Sequence, residues 1–203
     1  MSSTTSANNS TVTYTYNPDG SYVETVVSTD PEGAPTTTAY SVNAQGQLTT
    51  EDVGNPDGST NHQAYSYLPN GSYQQVTENL VEADGSRSDA AYIYGSNGLL
   101  QQIVKDAIAA DGSRIDTTMS YNSDQSYQET DTVTAANGQV TSTTNTVVNA
   151  QGQLTYKEVS TPAGTDYYTQ YQYGGEQLVL QSVVNADGSQ SRSEEHTSEL
   201  QSP

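Results

Sequence analysis

Polar, turn-forming clusters interrupt the chain at a nearly constant interval, and the stretches between them carry β-branched and aromatic residues. "NPDG" ends at Gly20, "DPEG" at Gly33, "NAQG" at Gly46 and "NPDG" again at Gly58. The same slot recurs at Gly71, Gly85, Gly98, Gly112, Gln125, Gly138, Gly152, Gly164, Gly175 and Gly188. The steps run from 11 to 14 residues, most of them 13, so internal repetition dominates the sequence. Asn-Gly and Asp-Gly supply the positive φ that hairpin turns need, and Pro presets the φ before them. About nine residues lie between turns, enough at about 3.3 Å each for a strand of roughly 30 Å. A turn this short joins only antiparallel neighbours. The pattern therefore predicts an all-β chain, a long antiparallel meander of about fourteen strands, built from seven hairpin repeats of about 26 residues as an open, spiral or curled sheet. The best helical candidate, "LLQQIVKDAIAA" over Leu99–Ala110, matches the strands in length and position and is predicted to be a strand.

The turns alternate in character. Tyr22, Leu48, Tyr73, Leu100, Tyr127 and Leu154 follow the odd turns by two residues, with Gln177 breaking the series. Tyr16, Val42, Tyr67, Tyr94, Tyr121, Val148 and Tyr171 precede the same turns. The even turns are followed instead by Pro35, Thr60, Arg87, Arg114, Val140, Asp166 and Gln190. Alternate turns of a meander fall on opposite edges, so one edge is expected to carry a Tyr, Leu and Val row and the other to be polar. A longer period shows in "VNAQGQLT", found at Val42–Thr49 and again at Val148–Thr155.

The doublets Tyr14/Tyr16, Tyr65/Tyr67, Tyr92/Tyr94 and Tyr171/Tyr173 each place two rings on one face of a strand. Stacked in register they would form an aromatic ladder. Two readings follow: the ladder is the core of a thin, one-sided sheet, or it is a sugar-stacking or partner-binding surface. The first is preferred, because few other residues could build a core.

Composition sharpens this picture. The chain has 16 Tyr but no Cys, Trp or Phe, and only 32% of its residues are hydrophobic. A thick two-sided core is not expected, and low hydrophobicity with high charge makes disorder the rival that the periodicity opposes. The net charge of −19 argues against nucleic acid and anionic membranes, both of which need Lys and Arg opposite phosphate. No apolar stretch of about 18 residues occurs, so no membrane insertion is expected. The N-terminus "MSSTTSANNS" shows no conventional signal peptide. Without Cys there is neither a disulfide framework nor a thiol ligand.

Three segments are expected. Residues 1–12 read as a flexible N-terminal segment, 13–191 as the hairpin array, and 192–203 as a non-native tail. The tail, "RSEEHTSELQSP", breaks the pattern at Arg192, and "RSEEHTSELQS" resembles a translated sequencing-library adapter. It is expected to be loosely attached, and the repeat count is then a lower bound.

Candidate chemistry is sparse. His62 is the one histidine before the tail, and no GxSxG elbow accompanies it. The carboxylate pairs Glu51/Asp52 and Glu129/Asp131 carry no sign of a shared cleft. The acidic turns at Asp19, Asp57, Asp84, Asp111 and Asp187 offer one or two oxygens each, which leaves weak calcium binding as the sole cofactor reading beside plain turn chemistry. No P-loop or dinucleotide fingerprint is present.

The unit Tyr-x-Tyr-x-x-x-Gly-x-Leu/Tyr, clearest in "YIYGSNGLLQQIVKDAIAADGS" over Tyr92–Ser113, resembles the YD repeat of the RHS/YD-repeat family, from Thr13 to about Ser191. The resemblance implies repeated hairpins that wind into the wall of large secreted or surface proteins, some of which enclose a toxin. The expected function is a non-enzymatic structural or scaffolding role outside the cell or on its surface, with self-association or other repeats as partners. The alternative is a carbohydrate- or protein-binding adhesin module that uses the tyrosine ladder.

Overall fold

In a computed structural model the backbone is described for residues 2–7, 9–162, 166–172, 178–185 and 187–196. These residues carry sixteen strands and no helix. They divide into two compact units. The first holds β1 (Ser2–Ala7), β2 (Ser10–Tyr16), β3 (Tyr22–Thr29), β4 (Pro35–Val42), β5 (Leu48–Gly54), β6 (Thr60–Tyr67), β7 (Tyr73–Val81) and β8 (Arg87–Tyr94). The second holds β10 (Arg114–Tyr121), β11 (Tyr127–Thr134), β12 (Val140–Val148), β13 (Leu154–Ser160), β14 (Asp166–Gln172), β15 (Leu178–Val184) and β16 (Gln190–His196). β9 (Leu100–Ile108) contributes residues to both units and confirms that the apolar segment is a strand. Within each unit the strand order follows the chain and every pairing is antiparallel, the meander that the turn spacing predicts.

Apart from the β1–β2 turn, where Ala7 pairs with Ser10, most of the described turns are three-residue loops. In the first, Gly20 N–H donates to the Asn17 carbonyl at 3.2 Å while Asn17 N–H donates to the Ser21 carbonyl at 2.9 Å. This pair of bonds is a type I turn closed by a residue in the left-handed region. Gly20 fills that position with φ 88°, and in the ninth turn Gln125 fills it with φ 68°. Both copies of "VNAQGQLT" build the same network. Asn43 Oδ1 accepts from the backbone N–H groups of Gln45 and Gln47, and Asn149 Oδ1 accepts from those of Gln151 and Gln153. Thr49 Oγ1 and Thr155 Oγ1 each donate to a carbonyl across the ladder, Ser41 and Val147, beside a β-bulge. Repeated sequence therefore becomes repeated geometry, bond for bond.

The register confirms the apolar edge. In unit 1 Tyr16 faces Tyr22, Tyr22 faces Val42, Val42 faces Leu48, and Tyr67 faces Tyr73. In unit 2 Tyr121 faces Tyr127, Tyr127 faces Val148, and Val148 faces Leu154. Burial is shallow, as the composition requires. Among the described residues the buried hydrophobic side chains are Ile103 and Val148, each 7% exposed. Cross-strand pairs at about 0.2–1 kcal/mol each therefore carry the stability that a core supplies elsewhere.

The two ends differ from expectation. Where a flexible segment is expected over residues 1–12, the described residues form β1 and the start of β2, paired from Ser2↔Thr15 to Ala7↔Ser10. Asn9 makes the turn with φ 58°, a value that Asn tolerates without glycine. At the other end β16 pairs with β15 as far as His196, beyond the predicted break at Arg192. Ladder bonds join backbone to backbone, so a strand can extend through side chains that lack the repeat's pattern. Leu200 and the rest of the tail lie outside the described residues.

Candidate functional site

Strand alternation gives unit 1 two unlike faces. One bears Tyr14, Tyr16, Tyr22, Tyr40, Tyr65, Tyr67, Tyr73, Tyr92 and Tyr94. The other is built mainly from Thr, Ala, Ser and Val, with His62, Asp52 and Asp89 among them. The assignment follows from the register, because directly opposed residues share a face.

The sequence predicts a ladder of doublets along the sheet, and in the structure the rings gather around the hairpin turns. Tyr14 and Tyr16 lie 6.2 Å apart between centroids, and Tyr22 from the next strand lies 6.1 Å and 5.6 Å from them. In the second cluster Tyr73 is the hub, 5.9 Å from Tyr65, 5.2 Å from Tyr67 and 6.3 Å from Tyr94. Val42 and Leu48 stand between the clusters, so the ladder is interrupted. Tyr92 shares the face opposite Val76. In unit 2 Tyr121 and Tyr127 pair at 5.2 Å. Tyr171 belongs to β14, opposite Val179, and Tyr173 lies outside the described residues. Tyr22, Tyr73 and Tyr127 complete the clusters. The spacing of two residues after each odd turn reveals them; a search for i, i+2 doublets does not.

Two of the hydroxyls donate hydrogen bonds. Tyr67 donates to the Leu48 carbonyl at 2.7 Å, and Tyr65 donates to Gln63 Oε1. Partial removal from water raises the phenol pKa of Tyr14, Tyr65 and Tyr67, and carboxylates add to this at two of them: Glu24 bonded to Tyr14, and Glu51 and Glu78 near Tyr65. Tyr16 and Tyr73 nonetheless keep 44% and 45% of their surface exposed.

A row that no sequence motif marks crosses the same face. Tyr14 faces Glu24, Glu24 faces Tyr40, Tyr40 faces Glu51, Glu51 faces Gln63, Gln63 faces Glu78, and Glu78 faces Ala90. The bulges near Val42 and Tyr67 absorb one residue each and keep Glu51 and Glu78 on the face of Glu24. The signal was present: the three glutamates are spaced by 27 residues, one hairpin unit. Asn61 and Gln63 amides donate to Glu78 Oε1 at 3.2 and 3.4 Å. In unit 2 the related row carries Glu129, Thr146 and Lys157, so the acidic row belongs to unit 1.

The remaining sequence candidates separate. Glu51 and Asp52 are consecutive in β5 and point to opposite faces, so they share no site. Glu129 and Asp131 do share a face; desolvation and then the Asp131 charge raise the Glu129 pKa. Thr117 Oγ1 donates to Asp131, which occupies that carboxylate. His62 Nδ1 bonds Asp52 Oδ1 across β5 and β6, with the side chains 47% and 52% exposed. This is an open cross-strand pair on the small-residue face. A shallow groove of about 520 Å³ lies between the turns at 17–20 and 43–46, and Asp19, Tyr22, Val42, Gln45 and Thr49 are among its lining.

The acidic turns use their own carboxylates. Asp57 Oδ1 accepts from the Ser59 hydroxyl at 2.7 Å and the Ser59 amide at 2.9 Å, and Asp19, Asp111 and Asp124 repeat the arrangement. The serine hydroxyl, then the serine amide, lowers the pKa of Asp19, Asp57, Asp84, Asp111, Asp124 and Asp187 below 3.8. Each bond favours the ionised form, so its stabilisation is complete above pH 3.8 and fades as pH falls through the lower folded value. An NMR carboxyl titration is expected to place all six midpoints below 3.8, and Ser59→Ala to return Asp57 alone toward it. Among the described residues no group of three or more His, Asp or Glu side chains converges as metal ligands. No protein-family model matches the chain, and no curated protein is similar to it in sequence.

Proposed function

We propose that the chain is a non-enzymatic structural repeat protein, a hairpin-array scaffold that is secreted or displayed on a cell surface. The observation that carries this reading is the reuse of one device along the chain. The same turn bonds recur from Asn17 to Ser189, and the two "VNAQGQLT" segments reproduce each other's side-chain network. Such arrays are stabilised by nearest-neighbour contacts and lengthen by adding units, which suits walls and filaments. The resemblance to YD repeats supports the same role, as a segment of a larger RHS-like shell or as a filament-forming subunit. The net charge of −19 fits a cationic partner surface rather than nucleic acid.

A second reading rests on a specific observation. Tyr16 and Tyr73 are 44% and 45% exposed on a face rich in amides and carboxylates, the chemistry that stacks on and hydrogen-bonds sugars. Sedimentation velocity over a hundredfold concentration range, run beside a glycan array, separates the two. The scaffold reading expects concentration-dependent assembly and no selective glycan. Selective glycan binding by a monomer would overturn it.

A further inference from the structure

We propose that the tyrosine face of unit 1 docks an extended cationic polyproline-II segment lying across the strands along the row Glu24–Glu51–Glu78. The inference goes beyond the scaffold reading and does not depend on self-assembly.

Three features of the row support this occupant. The first is its period. Consecutive glutamates are separated by two strands, through Tyr40 and then Gln63, and two strand spacings amount to about 9.6 Å. A polyproline-II helix repeats every three residues at 3.1 Å each, or about 9.3 Å. A basic residue at every third position therefore meets a carboxylate at every turn, with an accumulated mismatch of about 0.6 Å over the row. Lys and Arg side chains absorb that easily.

The second is charge. Between Tyr14 and Ala90 the row holds no Lys or Arg, in a chain with 24 acidic and 5 basic residues. A second copy of the same face would set carboxylate against carboxylate, whereas a cationic chain is complementary.

The third is the aromatic setting. Tyr14 and Tyr40 stand directly opposite Glu24, Tyr40 stands opposite Glu51, and Tyr65 and Tyr92 stand diagonal to Glu78 on the same face. Each carboxylate therefore has a ring on a neighbouring strand, and a cation held there lies within reach of an aromatic side chain. Aromatic-lined surfaces recognise polyproline II because its shape is preformed and little ordering entropy is lost on binding. The exposed rings of Tyr16 and Tyr73 flank the row.

Fluorescence anisotropy with labelled (Pro-Pro-Lys)₄ tests the proposal on the full chain. The expected result is saturable binding, at least tenfold weaker for (Pro-Pro-Pro-Lys)₄, which has the same charge and a four-residue period, and absent for (Pro-Pro-Glu)₄. The combined variant Glu24→Gln, Glu51→Gln, Glu78→Gln is expected to keep the wild-type melting temperature within a few degrees and to bind at least tenfold more weakly. Removing three carboxylates elsewhere in unit 1, by Asp30→Asn, Glu32→Gln and Glu82→Gln, is expected to leave binding within about twofold. Equal binding of the two lysine peptides, equal losses in the two triple variants, or selective binding of a neutral glycan with no peptide binding would each overturn the proposal.

Discussion

The combined variant Gly20→Ala, Gly46→Ala, Gly58→Ala, Gly71→Ala is expected to lose about 4 kcal/mol of stability, about 1 kcal/mol for each turn. The four glycines have φ between 78° and 88°. A Cβ placed at any of them meets nothing within 4 Å, so the whole effect is conformational: an L-residue is forced into the left-handed region. The loss is partly offset because alanine also restricts the unfolded chain. The turns share no side-chain bonds, so their effects should add. The ninth turn supplies the opposite sign. Gln125 already sits at φ 68°, and Gln125→Gly is expected to raise stability by about 1 kcal/mol. Urea denaturation of both variants checks the pair. Changes of the same sign in the two would show that the slot does not control the turn.

Tyr73→Ser is expected to cost about 2 kcal/mol, a large effect for a side chain 45% exposed. Burial alone predicts much less. The ring, however, touches Tyr65, Tyr67 and Tyr94 from both neighbouring strands, and the fold has little else to hold β6, β7 and β8 together. Tyr73→Phe keeps the ring and is expected to cost under about 0.5 kcal/mol. Equal losses in the two variants would move the energy from ring packing to the hydroxyl. Thermal melts at one pH and salt concentration give the comparison.

The turn residues made the architecture readable because glycine and asparagine answer to backbone conformation alone. The turn positions from Gly20 to Gly152, and Gly188, marked their hairpins, and the residues flanking the odd turns marked the apolar edge, which the register of Tyr16, Tyr22, Val42 and Leu48 reproduces. β1 leaves no mark in the sequence because "SSTTSA" carries no apolar alternation; it pairs through backbone groups that every residue has. The bulges were equally silent. Thr49 and Gln74 are the extra residues, and their presence decides which face Glu51 and Glu78 take. The glutamate row was thus hidden even though its 27-residue spacing is plain once the faces are known. The ring clusters were half visible. The doublets Tyr14/Tyr16 and Tyr65/Tyr67 share a face by strand alternation alone, but their partners Tyr22 and Tyr73 arrive across the turn, through register rather than sequence proximity.

Everything proposed for the tyrosine face depends on Glu51 lying opposite Tyr40 while Asp52 points the other way. The chain has no cysteine, so a designed pair reports this without background. Oxidation of Tyr40→Cys with Glu51→Cys is expected to give an intramolecular disulfide in the folded protein, since directly opposed Cβ atoms lie close to bonding range. Tyr40→Cys with Asp52→Cys is expected to stay reduced under the same conditions. Crosslinking of the second pair and not the first would shift the register by one residue and contradict the two-faced sheet.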